Sequence, residues 1–185
     1  MKVKEILKNC AILLDDIKLA KSIENEECTA QENEVREMLL ECCHIANTRI
    51  ASEFVFLKDE VEIATSNGEI AFDILSTKNI LDIIAVTKDG YPIKFNVRKA
   101  KIHTQSGKVN VQYSYLPEKH DIDDYIDYYP GRISERVIAY ATVSEYLAIK
   151  GNIDESIMWN DKFKSSISKV YAKHREIILP KRAWR

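Results

Sequence analysis

The stretch EVEIATSNGEIAFDI, residues 60–74, decides how the chain is read. Val61 and Ile63 alternate with Glu60 and Glu62, and after Asn67-Gly68 come Ile70, Phe72 and Ile74, alternating with Ala71 and Asp73. Strict alternation puts every second side chain on one face of a half-buried strand. Asn-Gly between two such runs predicts a β-hairpin, because both turn residues take positive φ. The pattern recurs downstream. Asp89-Gly90 separates the Ile80–Thr87 run from Ile93, Phe95 and Val97, and Ser106-Gly107 leads into Val109, Val111, Tyr113 and Tyr115. Residues 54–117 therefore predict several short antiparallel strands forming a small sheet or sandwich.

On either side the hydrophobic period is that of a helix, about 3.6 residues. Val3, Ile6, Leu7, Cys10, Leu14 and Ile17 predict one amphipathic helix ending in the polar run from Asn25 to Cys28. Thr29 and Glu32 have capping-box spacing and start a second helix, with Val35, Leu39, Cys42 or Cys43, Ala46 and Ile50 as its stripe. Pro117 closes the β-rich zone, and the acidic, Tyr-rich run to Gly131 predicts a loop or short irregular helix. A third helix follows Ser134, with Val137, Tyr140 or Ala141, Ser144 and Leu147 or Ala148 on one face. Its small residues Ala139, Ala141, Ser144 and Ala148 invite close approach by a neighbour. Gly151 suits the left-handed stop of that helix, and Asn152 with Glu155 caps the next. That last helix is expected to bury Ile153, Ile157, Phe163 or Lys164, Ile167 and Val170 or Tyr171, and with its predecessor makes an αα-hairpin.

The order helical, β-rich, helical predicts an α+β protein. It is a mainly α-helical bundle of about four helices, drawn from 1–53 and 118–176, with the antiparallel insertion 54–117 and an extended C-terminal arm, 177–185. A chain of 185 residues, 45% hydrophobic and 30% charged, supports a core without disulfide or metal. The start of the chain mixes charged and apolar residues, a pattern of neither a signal peptide nor a membrane span, and the expected site of synthesis is a reducing cytoplasm.

Net charge is −2, so the whole molecule has no bias toward nucleic acid or anionic membrane. Charge is nevertheless uneven: Asp121, Asp123, Asp124 and Asp127 form an acidic run, and beyond Asp161 eight cations face a single acid, Glu176. Cys42-Cys43-His44 offers metal-ligand chemistry but sits within a helical run and lacks a second ligand pair. Counted as an EF-hand from Asp121, the acidic run has Ile126 and Arg132 where Gly and Glu are required. His44, His103, His120 and His174 are scattered without a nucleophile motif, and no Gly-rich phosphate loop is present. The reading is therefore a non-enzyme without cofactor or metal. The basic end has two uses: phosphate contact with Trp184 stacked on a base, or protein docking with Trp and Arg as anchors.

One family resemblance is carried by the run from Tyr113 to Phe163. Tyr113-Ser114-Tyr115-Leu116-Pro117 leads to the acidic stretch, then to a helix with Ala141, Ser144, Glu145, Tyr146 and Leu147. The Gly151-Asn152 turn, Asp154, Glu155, Ser156 and Trp159 precede Phe163. In this order the chain resembles the head–tail connector (adaptor) proteins of tailed bacteriophages and prophages, including the tail tubular protein A-like adaptors. Ser156 departs from the family, where Ala is usual. The resemblance implies a structural virion protein of the neck, made in the host bacterial cytoplasm. It implies a ring of identical subunits, commonly a dodecamer, between portal and tail, with genome DNA in the lumen, read without sequence specificity, and no membrane. It implies an arm that reaches the portal, with Lys181, Arg182, Trp184 and Arg185 as the docking residues. A nucleic-acid-binding regulator using the basic helix and arm is the alternative, and a hydrolase ranks third.

Overall fold

The apolar run that opens the chain forms two helices rather than one. A computed structural model describes residues 1–129 and 133–172. In it α1 spans Val3–Leu13 and α2 spans Ile17–Asn25. Asp15 takes φ 59° and its amide donates to Ile12 O, while Asp16 N donates to Ala11 O at 2.9 Å. This is the helix stop normally built on glycine, here closed by an aspartate. Asp16 then accepts from Leu19 N at 2.9 Å and so caps α2. Ile17, expected in the first stripe, is 60% exposed at the head of α2.

Helix α3, Ala30–Glu53, begins as its capping box demands. Thr29 N donates to Glu32 Oε2 at 2.8 Å, and Glu32 N to Thr29 Oγ1 at 3.3 Å. Leu39, Cys42, Cys43, Ala46 and Ile50 are buried along it. The chain divides within this helix into two units, Met1–Cys43 with the chain from Asp121 onward, and His44–His120.

The second unit holds two antiparallel sheets. The larger runs β1 (Leu57–Thr65), β7 (Gly107–Leu116), β3 (Asn79–Lys88) and β4 (Tyr91–Pro92). The smaller runs β2 (Glu69–Ala71), β6 (Lys101–His103) and β5 (Asn96–Arg98). Ile70, Leu75 and Ile102 pack with Ile83, Val86, Val109, Val111 and Tyr113 in one shared core. Only Asp89-Gly90 joins paired neighbours in the way expected, with both residues at positive φ between β3 and β4. Asn67-Gly68 does not: β1 pairs with β7, β2 with β6, and the turn carries the chain from one sheet to the other. Phe72 and Ile74 do not extend β2 but fall in a short helix α4, Phe72–Leu75. The β5–β6 hairpin turns on Lys99 and Ala100, at φ 50° and 56°, with Arg98 paired to Lys101.

In the first unit, α5 (Glu135–Ile149) and α6 (Ile153–Ala172) form the hairpin. Gly151 N donates to Ala148 O and Asn152 N to Leu147 O, which stops α5 at the glycine. Helix α5 packs against both α1 and α6 and is buried on nearly all sides, from Val137 to Leu147. The described residues thus hold six helices rather than about four, because Asp15 splits the first and α4 had no helical pattern of its own.

Gly68 sits at φ +77°, and a Cβ there would collide with the Thr104 carbonyl oxygen, whereas Gly90 at +80° faces open space. Gly90→Ala is expected to cost about 1 kcal/mol from backbone strain alone. Gly68→Ala should cost about 3 kcal/mol, strain plus steric clash. Urea unfolding of the two variants checks this, and equal losses would contradict the sheet crossing drawn here.

Candidate functional site

The α5–α6 hairpin is held by an exchange of two serine hydroxyls. Ser144 Oγ donates to Ser156 O at 3.0 Å, and Ser156 Oγ donates to Ser144 O at 2.9 Å. Both residues are buried, so each hydroxyl needs a partner, and each finds the backbone of the facing helix. A contact of this kind requires small side chains on both helices. It sets the rotation of α6: Ser156, Phe163 and Ile167 turn inward and are buried. Phe163 and Ile167 contribute about 1.5–3 kcal/mol each by leaving water. Ile153 and Ile157, expected in that stripe, are turned out and are each 54% exposed. Ser156 is thus half of a reciprocal bond.

An aromatic ladder flanks the serine contact. Tyr140 and Trp159 stack with ring centroids 5.5 Å apart. Arg136 lies 5.7 Å from the Tyr140 ring and Lys162 lies 4.0 Å from the Trp159 ring. Trp159 is therefore committed to the hairpin and adds cation–π attraction to its packing.

Around the turn of the hairpin the unit carries exposed apolar residues. Ile149 is 57% exposed and Met158 46%, beside Ile153 and Ile157. Next to them opens a groove of about 650 Å³ between the first turns of α6, the end of α5 and the α1–α2 corner. Leu14, Leu19 and Met158 line it together with Asp15, Asp16 and Glu155. In the β unit a second apolar surface lies on the outer side of the larger sheet. Two irregularities in β3, between Ile80 and Asp82 and between Ile83 and Ala85, leave Leu81 and Ile84 without a partner on β7. Both are exposed there, and with Phe56 they line a shallow pocket above Lys58 and Asp82. Bulges re-aim side chains in this way at sheet edges.

Cys42 and Cys43 are buried in α3, and His44 is half-buried in the next position. Burial pushes the Cys42 thiol up to about 11, with Glu145 and Glu41 adding to the effect. Burial likewise holds the Cys10 thiol well above its ordinary value, reinforced by Cys43. Thiols raised in this way stay protonated at neutral pH, the opposite of a ligating or nucleophilic cysteine. Among the described residues no group of three or more His, Cys, Asp or Glu is placed to hold a metal. His103 lies in β6 with Nδ1 3.7 Å from Glu69 Oε1, His120 lies in the segment after β7, and His174 is outside the described residues.

The acidic run is tied into the start of α1. Ile122 O accepts from Lys4 N at 3.0 Å, and Asp124 O accepts from Val3 N at 3.1 Å. These are donors that the first turn of a helix leaves unsatisfied, and carboxylates gather at the positive end of its dipole. Asp124 Oδ2 also accepts from Asp121 N at 2.7 Å, which closes the loop on itself. Among the described residues no helix is long and apolar enough to cross a membrane. Lys181, Arg182, Trp184 and Arg185, the expected docking residues, lie outside the described residues.

Two substitutions separate the contributions of bond and close approach at Ser156. Ser156→Ala is expected to lose one buried hydrogen bond, about 1 kcal/mol, and to keep the hairpin. Ser156→Leu forces the helices apart and is expected to lose about 3 kcal/mol. Denaturant unfolding followed by circular dichroism reads both, and a leucine variant as stable as the alanine one would contradict the close approach.

No protein-family model matches the chain, and no curated protein is similar to it.

Proposed function

We propose that the protein is a non-enzymatic assembly protein, a head–tail connector that forms a ring of identical subunits between portal and tail. The observation that carries this reading is the outward-turned face of the α5–α6 hairpin. Ile149, Ile153 and Ile157 are each more than half exposed, on helices whose inner contact is already complete. Contiguous apolar side chains on a helix face mark a protein contact. A face used once on each copy, against a different face of the next, gives a ring when the rotation between copies closes. The resemblance from Tyr113 to Phe163 supplies the remainder: portal above, tail below, and DNA through the lumen without base-specific contacts. In this scheme the arm, through Lys181, Arg182, Trp184 and Arg185, docks the portal.

Light scattering across concentration, alone and with the cognate portal, tests the reading. The expected result is a mass well above the 21.3 kDa of one chain, or stoichiometric recruitment of a monomer by the portal. Ile153→Asp with Ile157→Asp should abolish the ring while leaving the melting temperature within a few degrees, since both side chains are exposed. A chain that stays monomeric and ignores the portal would remove the proposal and leave salt-sensitive DNA binding as the next property to measure.

A further inference from the structure

The groove beside the hairpin turn has a charge and a lining that call for a particular occupant. Its apolar floor is Leu14, Leu19 and Met158, and its rim holds Asp15, Asp16 and Glu155. Lys150, the one cation among the described residues that line it, lies 5.6 Å from the Tyr146 ring, where the aromatic face engages it. The rim is thus net acidic over an apolar floor. A matching ligand is a short segment with apolar residues followed by cations and an aromatic anchor. The chain carries such a segment in Ile177-Ile178-Leu179-Pro180-Lys181-Arg182-Ala183-Trp184-Arg185.

We infer that the groove of one copy receives the C-terminal arm of a second copy. Thirteen residues follow Ala172, the last residue of α6, and the groove is lined by the first turns of the same helix. From Met158 to Ala172 the helix rises about 20 Å, so the arm is rooted at the end remote from its own groove. At full extension Trp184 reaches about 40 Å beyond Ala172, ample to span to a neighbour. Root and groove at opposite ends of one helix make a head-to-tail contact, the kind that closes into a ring. The inference rests on the ring reading above and deepens it: the arm is held by a neighbour until the portal is met, and portal docking then proceeds by exchange.

Two full-length variants test it by light scattering in low salt. An arm variant carries Lys181→Glu, Arg182→Glu and Trp184→Ala; a groove variant carries Glu155→Lys and Met158→Asp. Matched circular dichroism melts show that both are folded, and Glu155→Lys alone serves as the milder groove change. The expected result is that each variant self-associates at least tenfold more weakly than the parent chain. An equimolar mixture should form a one-to-one complex, because the intact arm of one variant meets the intact groove of the other. A mixture no tighter than either variant alone overturns the inference, as does parental self-association in both variants. A parent chain that is monomeric alone yet recruited by the portal overturns the arm contact and leaves the connector reading in place. An arm seated in its own groove would give a monomer at every concentration and would likewise overturn it.

Discussion

Ser144 and Ser156 each donate to the other's backbone carbonyl, and the rest of the first unit is arranged around that exchange. Two helices that share such a contact cannot rotate about their axes without orphaning buried hydroxyls, which costs about 1–3 kcal/mol per group. With α6 held in that rotation, Phe163 and Ile167 turn inward and are buried, and Tyr140 stacks on Trp159. The same rotation turns Ile153, Ile157 and Met158 outward. An internal polar contact therefore decides which apolar residues the hairpin leaves exposed. Helix α5, buried almost all round, is the axis on which α1 and α6 both pack.

The β unit solves a different problem. Its two sheets share a core, but consecutive strands mostly do not pair, so the chain passes from one sheet to the other four times: at Gly68, between β2 and β3, between β4 and β5, and between β6 and β7. Gly68 fits because its φ is positive and because the Thr104 carbonyl oxygen occupies the space a Cβ needs. At one end of β1, Lys78 pairs with Asp59 at 2.7 Å and lies 4.2 Å from the Tyr115 ring. The Lys78 contact holds the Asp59 carboxyl below its ordinary value, with the backbone amide of Glu60 also assisting. Such a half-exposed pair contributes little energy but orients the strand ends.

What could be read from residues was what local chemistry decides. Thr29 with Glu32, Asp89-Gly90 and the Gly151 stop each settle their geometry within a few residues. The break after α1 hides because an aspartate, Asp15, takes the left-handed position that glycine usually marks. The β5–β6 turn hides for the same reason, since neither Lys99 nor Ala100 advertises positive φ. Apart from β3 with β4, strand partners were not legible, because Asn67-Gly68 signals a turn but not what pairs across it. Nor was the outward face of α6. Isoleucines at 153 and 157 have the spacing of a core stripe, and only the serine contact with α5 shows that the stripe is Ser156, Phe163 and Ile167. The groove draws side chains from five helices, so no window of sequence contains it.

Under the proposed function, the outward face of the hairpin is a contact between identical subunits in cyclic order. Electron microscopy of the purified, concentrated protein, with class averages computed without imposed symmetry, addresses that claim most directly. Closed rings with a single repeating subunit are the predicted result, the outcome of a head-to-tail contact whose rotation closes. Two-fold dimers in which the hairpin faces meet each other would contradict it, as would isolated monomers both alone and with portal present.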